Sequence, residues 1–288
     1  MKIRSAKKSD KEEILSFCSN TFEWGDYIDQ VWDIWQSDRT GRLLVAESDG
    51  SKIAMSHVAV CPDSKSAWLE GVRVHPSYRR SQVASKLIEK MAQYGRKKGG
   101  RQASAIVAAD NVASQRMMEK NGFEVVSRWA YYSTTATRAR RQKSSARLAA
   151  NSEYRSIWQY LQESKIYSLS AKRYVKSWHW YTLDKKALLD FIKKRRVIVT
   201  GRPIEGVAII NRHGYWNKKN ILQIIYLDSA SARSLRHLIS FVANIYLDGK
   251  FDRLQVVCHE SKSMTFFVEK FMIKEQEQFL LYNKVFTP

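Results

Sequence analysis

Between Leu69 and Leu87 the chain reads LEGVRVHPSYRRSQVASKL, and few folds accommodate that order of residue types. Leu69, Val72 and Val74 stand among β-favouring neighbours and are closed off by His75-Pro76, which predicts a strand ending in a turn. From Val83 onward, Leu87, Ile88, Met91 and Tyr94 recur at three and four residues, the period of a helix that buries one face. Arg79, Arg80, Ser81 and Gln82 must turn the chain sharply from strand to helix. The first N–H groups of that helix have no intrahelical partner and point outward beside two arginines. Such a corner, with the positive end of a helix dipole behind it, is suited to hold a phosphate group.

The flanking sequence supplies a succession of elements. Lys2 to Ala6 reads as a strand, and Ser9 with Glu12 forms a capping-box pattern ahead of a helix through Ile14, Leu15, Phe17 and Cys18. Ile28, Val31, Trp32 and Trp35 make a second helical stripe, preceded by a loop, Glu23-Trp24-Gly25-Asp26. Gly41 to Ser48, Lys52 to Val60 and Ser66 to Val74 read as three strands, the first two joined at Asp49-Gly50-Ser51. After the Val83 helix come a strand from Ala103 to Ala109, a short helix capped by Asp110 or Asn111 and ended by Gly122, and a closing strand from Phe123 to Ser133.

This order of elements resembles the GNAT (Gcn5-related N-acetyltransferase) family, and two local motifs carry the resemblance. Arg79 to Ala84, RRSQVA, is similar to the family's acetyl-coenzyme A loop, R/Q-x-x-G-x-G/A. Asn111 to Phe123, NVASQRMMEKNGF, is similar to its closing motif, N-x-x-A-x-x-(L/F)-Y-x-K-x-G-F. Two motifs about thirty residues apart in the right structural order are far more specific than either alone, and the resemblance covers residues 1–135. Two departures stand out: Gln82 occupies the first glycine position of the loop, and Met118 occupies the place of a tyrosine that protonates departing coenzyme A.

The resemblance implies an α/β fold with a mixed sheet and a cytoplasmic acetyl-CoA-dependent N-acetyltransferase acting on a primary amine of a small molecule, amino acid or peptide by direct ternary-complex transfer. It implies that the backbone of Val72, Arg73 and Val74 meets the pantetheine arm, and that Arg79, Arg80, Ser81, Gln82, Val83, Ala84 and Ser85 hold the phosphates, with Asn111 and Ser114 completing the cofactor site. Glu70, on the strand leading into that site, is the candidate base; its structural alternative is an ion pair with Arg73. Glu23, Trp24 and Asp26 are candidates for acceptor binding. With methionine at position 118, Tyr131 and Tyr132 remain as weak candidates for the acid. His57 reads as structural.

The second half repeats part of the plan. Val197 to Thr200, Gly206 to Asn211 and Asn220 to Asp228 read as strands, Ala232 to Leu247 as a helix, Phe251 to Cys258 as a strand, Glu260 to Lys270 as a helix and Gln276 to Lys284 as a last strand. A shift of about 150 positions sets Ser261 on Asn111 and Ile273 on Phe123, the pattern of a degenerate second GNAT-like unit. In it, Tyr226 to Ser231 replaces the arginine loop, so no pyrophosphate site is expected there. The expected domains are 1–135, a basic linker at 136–152, and 153–288.

Composition narrows the partners. Forty-nine Lys and Arg against 28 acidic residues give a formal net charge of +21, which favours an anionic partner. Nucleic acid is one such partner, through the basic linker and Lys193-Lys194-Arg195-Arg196. The linker has no interleaved aromatics to stack on bases, and the second run also suits the cationic end of a helix. A catalytically impaired binding module of the same shape is a further alternative. Three distant cysteines, Cys18, Cys61 and Cys258, suggest neither a disulfide framework nor a metal site, and a reducing compartment is expected. No stretch reaches the ~20 apolar residues of a membrane span, so no membrane partner is expected, and the chain is expected to be a monomer or homodimer.

Overall fold

The computed structural model describes residues 1–19, 21, 25–61, 65–134, 141–212, 220–249, 251–261, 263–265 and 275–286. Glu23 and Trp24, two of the acceptor candidates, lie outside the described residues, as does most of the expected helix at 260–270.

The chain forms two compact units, and the division does not follow the expected boundary. One unit comprises Met1–Val107, Asn111–Val125 and Leu281–Pro288; the other comprises Ala108–Asp110 and Val126–Leu280. The closing strand of the first motif region thus passes into unit 2, and the end of the chain belongs to unit 1. The expected linker is also different in kind. From Arg141 on it is held to unit 2: the Gln142 N–H donates to Asn244 Oδ1, Ser144 Oγ donates to the His237 carbonyl, and Ala146 is buried.

In unit 1, β1 (Lys2–Ser5) is followed by α1 (Lys11–Cys18), α2 (Ile28–Gln36), β2 (Arg42–Ser48), β3 (Ser51–Cys61), β4 (Ser66–Val74), α3 (Val83–Lys97), β5 (Gln102–Ala108), α4 (Val112–Lys120) and the start of β6 (Glu124–Thr134). Its strand order is β1-β2-β3-β4-β5, then the last strand of the chain. The first four strands pair antiparallel, and β4 and β5 are parallel. Successive strand residues face opposite sides, so Ala67 meets Gly95 of α3 on one face while Glu70 and its cross-strand partner His57 face Trp35 of α2 on the other. The helix α3 buries Val83, Leu87, Ile88 and Met91, each worth roughly 1.5–3 kcal/mol when fully removed from water. The residue at the head of α1 is Asp10, not Ser9; its carboxylate makes no hydrogen bond into α1 and instead accepts from the Lys7 N–H at 2.7 Å and from both terminal nitrogens of Arg4. Arg4 also reaches Glu47 on the neighbouring strand, which fastens β1 to the helix start.

Unit 2 continues from β6 with β7 (Arg147–Leu148), α5 (Tyr154–Glu163), α6 (Lys165–Leu169), a ribbon of β8 (Arg173–Lys176) and β9 (His179–Thr182), α7 (Lys185–Lys193), β10 (Val197–Thr200), β11 (Gly206–Asn211), β12 (Ile221–Ser229), α8 (Ala232–Asp248), β13 (Arg253–His259) and β14 (Glu275–Val285). Its strand order is β14-β6-β13-β12-β11-β10-β7. One face packs Ile198, Ala208, Leu222, Ile224 and Val256 on α8; the other packs Val199, Val207, Ile209 and Ile225 on α5 and α7. Covered on both faces, these strands read as continuous apolar runs rather than alternating ones.

The last strand divides between the units. Ala109 N–H donates to the Gln278 carbonyl within unit 2. Beyond Leu281 the strand is tied into unit 1: Ser104 Oγ donates to Asn283 Oδ1 at 2.8 Å, Lys284 Nζ to the Asn121 carbonyl at 2.8 Å, and Phe286 N–H to the Arg101 carbonyl at 2.9 Å.

Candidate functional site

The corner anticipated at Arg79–Ser85 is present in unit 1. Gln82, the N-cap of α3, has φ +62 and ψ +9, and Arg80 has φ +66. Both are in the left-handed region that a glycine enters at no steric cost. The backbone therefore makes the turn that the motif's glycine makes, with a glutamine side chain carried at that point. The first helical N–H with a carbonyl partner is that of Lys86, which donates to Gln82 at 3.1 Å. Those of Val83, Ala84 and Ser85 precede it and face the corner. Arg79, Arg80, Ser81 and Gln82 are exposed; Arg79 Nε donates to the Val74 carbonyl, and neither arginine has an ion-pair partner among the described residues. Free N–H groups, a helix dipole and two unpaired guanidinium groups fit a pyrophosphate.

The second motif braces this corner. Asn111 caps α4, its Oδ1 accepting from the Ser114 N–H at 3.0 Å. At the other end of α4, Asn121 Nδ2 donates to Ser85 Oγ at 3.2 Å and to the Met117 carbonyl at 2.7 Å. Sequence reasoning assigned no role to Asn121, although its place before Gly122 marked the helix end. Met118 is buried and brings no hydroxyl.

The strand leading to the corner is bulged. Met55 pairs with Arg73 and His57 with Glu70, so Ser56 faces two residues, Gly71 and Val72. Gly71 has φ +64, and a Cβ there would meet the Trp35 ring at 2.5 Å. Only glycine admits both the conformation and the ring. The ladder between β4 and β5 runs from Ser66↔Gln102 to Trp68↔Ser104. Among the described residues no pairing joins the two strands beyond it, which leaves the Val72–Val74 stretch next to the corner for an extended arm.

Glu70 is held otherwise than expected. It does not pair with Arg73. Its Oε1 lies 2.8 Å from His57 Nδ1, and His57 Nε2 lies 3.3 Å from Asp38 Oδ2. The imidazole is 1% exposed and stacks on Trp35 at 4.7 Å and 5°. Burial alone would lower the pKa of this histidine; the Asp38 and Glu70 carboxylates, which accept from the imidazolium, overcome that and raise it. Asp38 is opposed by burial but held well below the usual carboxylate range by His57, by the Gly41 and Thr40 N–H groups and by the Thr40 hydroxyl. Its side also borders a cleft of about 170 Å³ with Trp35, Arg39 and Arg42. His57 is thus buried, as a structural reading implied, and bonded to the candidate base.

Arg73 is taken by another acceptor candidate. Its Nε and Nη2 reach the two oxygens of Asp26 at 2.6 and 3.0 Å, and its guanidinium lies over the Tyr27 ring at 5.1 Å. Asp26 Oδ1 also accepts from the Tyr27 N–H, so this carboxylate fixes the start of α2. Tyr131 and Tyr132 fall in unit 2. Both are buried, and the Tyr131 hydroxyl accepts from Gln255 Nε2 at 3.0 Å while its ring packs on Trp178.

A bulged strand, an anion-suited corner after it and a half-buried carboxylate on it are compatible with an acyltransferase. The comparisons agree. The model of the acetyltransferase (GNAT) family matches residues 11–123. An aminoglycoside N(6')-acetyltransferase type 1 from Salmonella typhimurium is 30% identical over 107 residues, covering 35% of this chain and 73% of that one. A histidine N-acetyltransferase from Oreochromis niloticus is 28% identical over 88 residues, 31% of this chain and 26% of that one. Among solved structures, a GCN5-related N-acetyltransferase from Sphaerobacter thermophilus has a TM-score of 0.66 at 14% identity, covering all of this chain and 96% of that one. A glucosamine N-acetyltransferase region of a fungal multi-domain protein has a TM-score of 0.62 at 14% identity, over 98% of this chain and 38% of that one. The chain belongs to the GNAT acetyltransferase family.

Among the described residues no helix is long and apolar enough to cross a membrane, and no cluster of His, Cys, Asp or Glu could hold a metal ion.

Proposed function

We propose that unit 1 transfers the acetyl group of acetyl-CoA to a primary amine of a small molecule, an amino acid or a peptide, and that unit 2 is a degenerate copy without a cofactor site. The observation that carries this reading is Glu70 on the bulged strand, held at 2.8 Å by a buried histidine one strand away from solvent-facing residues of the phosphate corner. Two curated relatives whose names specify N-acetylation of small amines support the acceptor class.

The bound cofactor supplies an activated acetyl group on a thioester. The N–H groups of Val83–Ser85, with Arg79 and Arg80, hold its phosphates. The backbone of Val72–Val74 holds the arm, and an N–H there polarises the thioester carbonyl as a fixed dipole. Glu70 takes the ammonium proton directly or through one water, so that the amine attacks as a free base. His57, itself beside Asp38, holds that carboxylate in place. The proton for the thiolate comes from solvent or from the amine product, since Met118 has none to give.

Unit 2 offers a contrast at the matching turn. Asp228, buried at the end of β12, accepts from Tyr160, Ser164 and Tyr226 at 3.0, 2.6 and 2.8 Å, and Ser231 caps α8. A carboxylate just behind the helix start opposes a phosphate there.

The test is ligand-induced stabilisation. Acetyl-CoA at a hundred times its Kd should add about 2.7 kcal/mol, and Arg79→Glu with Arg80→Glu should abolish the shift. No shift at millimolar acetyl-CoA would sink the cofactor reading. Glu70→Gln should lower kcat by about 10²–10⁴ with a panel of primary amines while the acetyl-CoA shift persists.

A further inference from the structure

We propose that unit 2 carries a second anion site, a cleft that binds the phosphodiester backbone of nucleic acid. It has a volume of about 350 Å³ and is lined by Leu148, Lys194, Arg195, Arg196 and Arg212. Three elements supply these residues: β7 at the edge of the sheet, the end of α7, and the end of β11.

The helix end accounts for the lysines and not for the arginines. Lys193 and Lys194 follow the last turn of α7, where the carbonyl end of the dipole favours cations, and Lys194 Nζ pairs with Asp190 one turn back at 2.7 Å. Arg195 then leaves the helix at φ +53. Arg196 is fixed from two sides: its carbonyl accepts from the Ile210 N–H at 2.9 Å, and its Nη1 donates to Asn211 Oδ1 at 3.1 Å. Arg212 comes next to Asn211 on β11. Among the described residues none of the three arginines has an ion-pair partner, so three guanidinium groups converge on one concave space with only their mutual repulsion to answer. Each presents the planar fork that matches phosphate oxygens.

The cations come from two separate stretches, 194–196 and 212, so a chain of phosphates can meet more than one of them at once. The formal charge of +21 adds a long-range field of the same sign. Among the described residues the lining is cationic apart from Leu148, and contacts to phosphate fix position without carrying sequence information. Binding should be independent of sequence and fall steeply with salt.

The experiment is fluorescence anisotropy with labelled single strands of DNA and RNA of mixed sequence and with a duplex, across ~50–200 mM salt. Arg195→Glu with Arg212→Glu is compared with Lys90→Glu and Lys97→Glu, two exposed positions on α3 of unit 1 that give the same change of charge. The cleft variant should bind at least about tenfold more weakly than the control pair and show a salt slope shallower by roughly one to two, near 0.7–0.9 per lost phosphate contact. The acetyl-CoA shift should be the same in both. Arg195→Gln with Arg212→Gln gives the same ranking if the reversed charges cost stability, which a melting curve shows. Equal losses in the two pairs would mean a general charge effect, and displacement by tripolyphosphate as readily as by an oligonucleotide at equal phosphate would mean a small-anion site. Either result, or no binding at about 50 mM salt, overturns the proposal.

Discussion

Replacing His57 by glutamine keeps a hydrogen-bonding side chain of similar reach and removes the charge between Asp38 and Glu70. The two carboxylate side chains are 22% and 15% exposed, so water relieves part of the loss. Breaking a fully buried pair costs about 3–5 kcal/mol, and here roughly 1–3 kcal/mol is expected after that discount. The loss has a signature in pH. The pKa of His57 is raised in the folded protein above the ordinary histidine value of 6.5. Its contribution is therefore complete below about pH 6.5 and fades as the pH rises through the folded value, by about 1.4 kcal/mol for each unit of displacement. Asp38 is depressed from 3.8, so its contribution is present above about pH 4 and is lost as the pH falls toward the folded value. The wild-type advantage over His57→Gln should accordingly be largest between about pH 4 and 6.5 and shrink toward pH 9. The buried His259, pushed down to about 4 by desolvation, acts in the opposite sense below pH 6.5, but it is common to both proteins and cancels in the difference. Urea unfolding of both proteins at about pH 5.5 and pH 9 measures it. A difference that stays constant between those pH values would show that His57 is not charged between its carboxylates, and the reasoning would fail.

Gln82→Gly removes a side chain from a left-handed residue, and should raise stability by about 1 kcal/mol and tighten acetyl-CoA; calorimetric titration and a melting curve report both. Gly71→Ala meets the Trp35 ring as well as a positive φ, and should destabilise unit 1 by about 3 kcal/mol or more, read as loss of soluble protein or a lowered unfolding midpoint. Tyr131→Phe with Tyr132→Phe should leave the pH–rate profile in place; loss of its alkaline limb would return a tyrosine to the chemistry.

Where one residue type recurs at one period, the chain showed its own structure. The stripe from Val83 to Met91, the strand runs of β2–β4 and β10–β12, and the turn at Arg79–Gln82 are local patterns, and the fold contains them within a residue or two. What failed was what depends on register and on distant partners. Glu70 meets His57 because a bulge at Gly71–Val72 sets the pairing, and nothing in either strand announces a bulge except one glycine. Asp38, from the loop after α2, completes the trio across nineteen positions of chain that carry no motif. Ser9 does not cap α1, because the residue at the helix head is Asp10, whose carboxylate is turned back to Arg4 and Lys7. In unit 2, α5, α6 and the β8–β9 ribbon were not read, although Tyr154, Ile157, Trp158 and Leu161 recur at helical spacing and signal α5; RYVKSWHWYT interleaves aromatic and polar residues without a clear period. Nor could periodicity say which unit a strand would join.

That last point has a consequence for how the protein is made. Residues 281–286 belong to unit 1, where they meet β5 and the end of α4. A ribosome delivers the chain from the N-terminus, so unit 1 waits with an open edge on its sheet until residues 281–286 have been translated. An unpaired edge invites the wrong strand. Cutting the gene at the basic segment yields a fragment that carries both motif regions and lacks that strand.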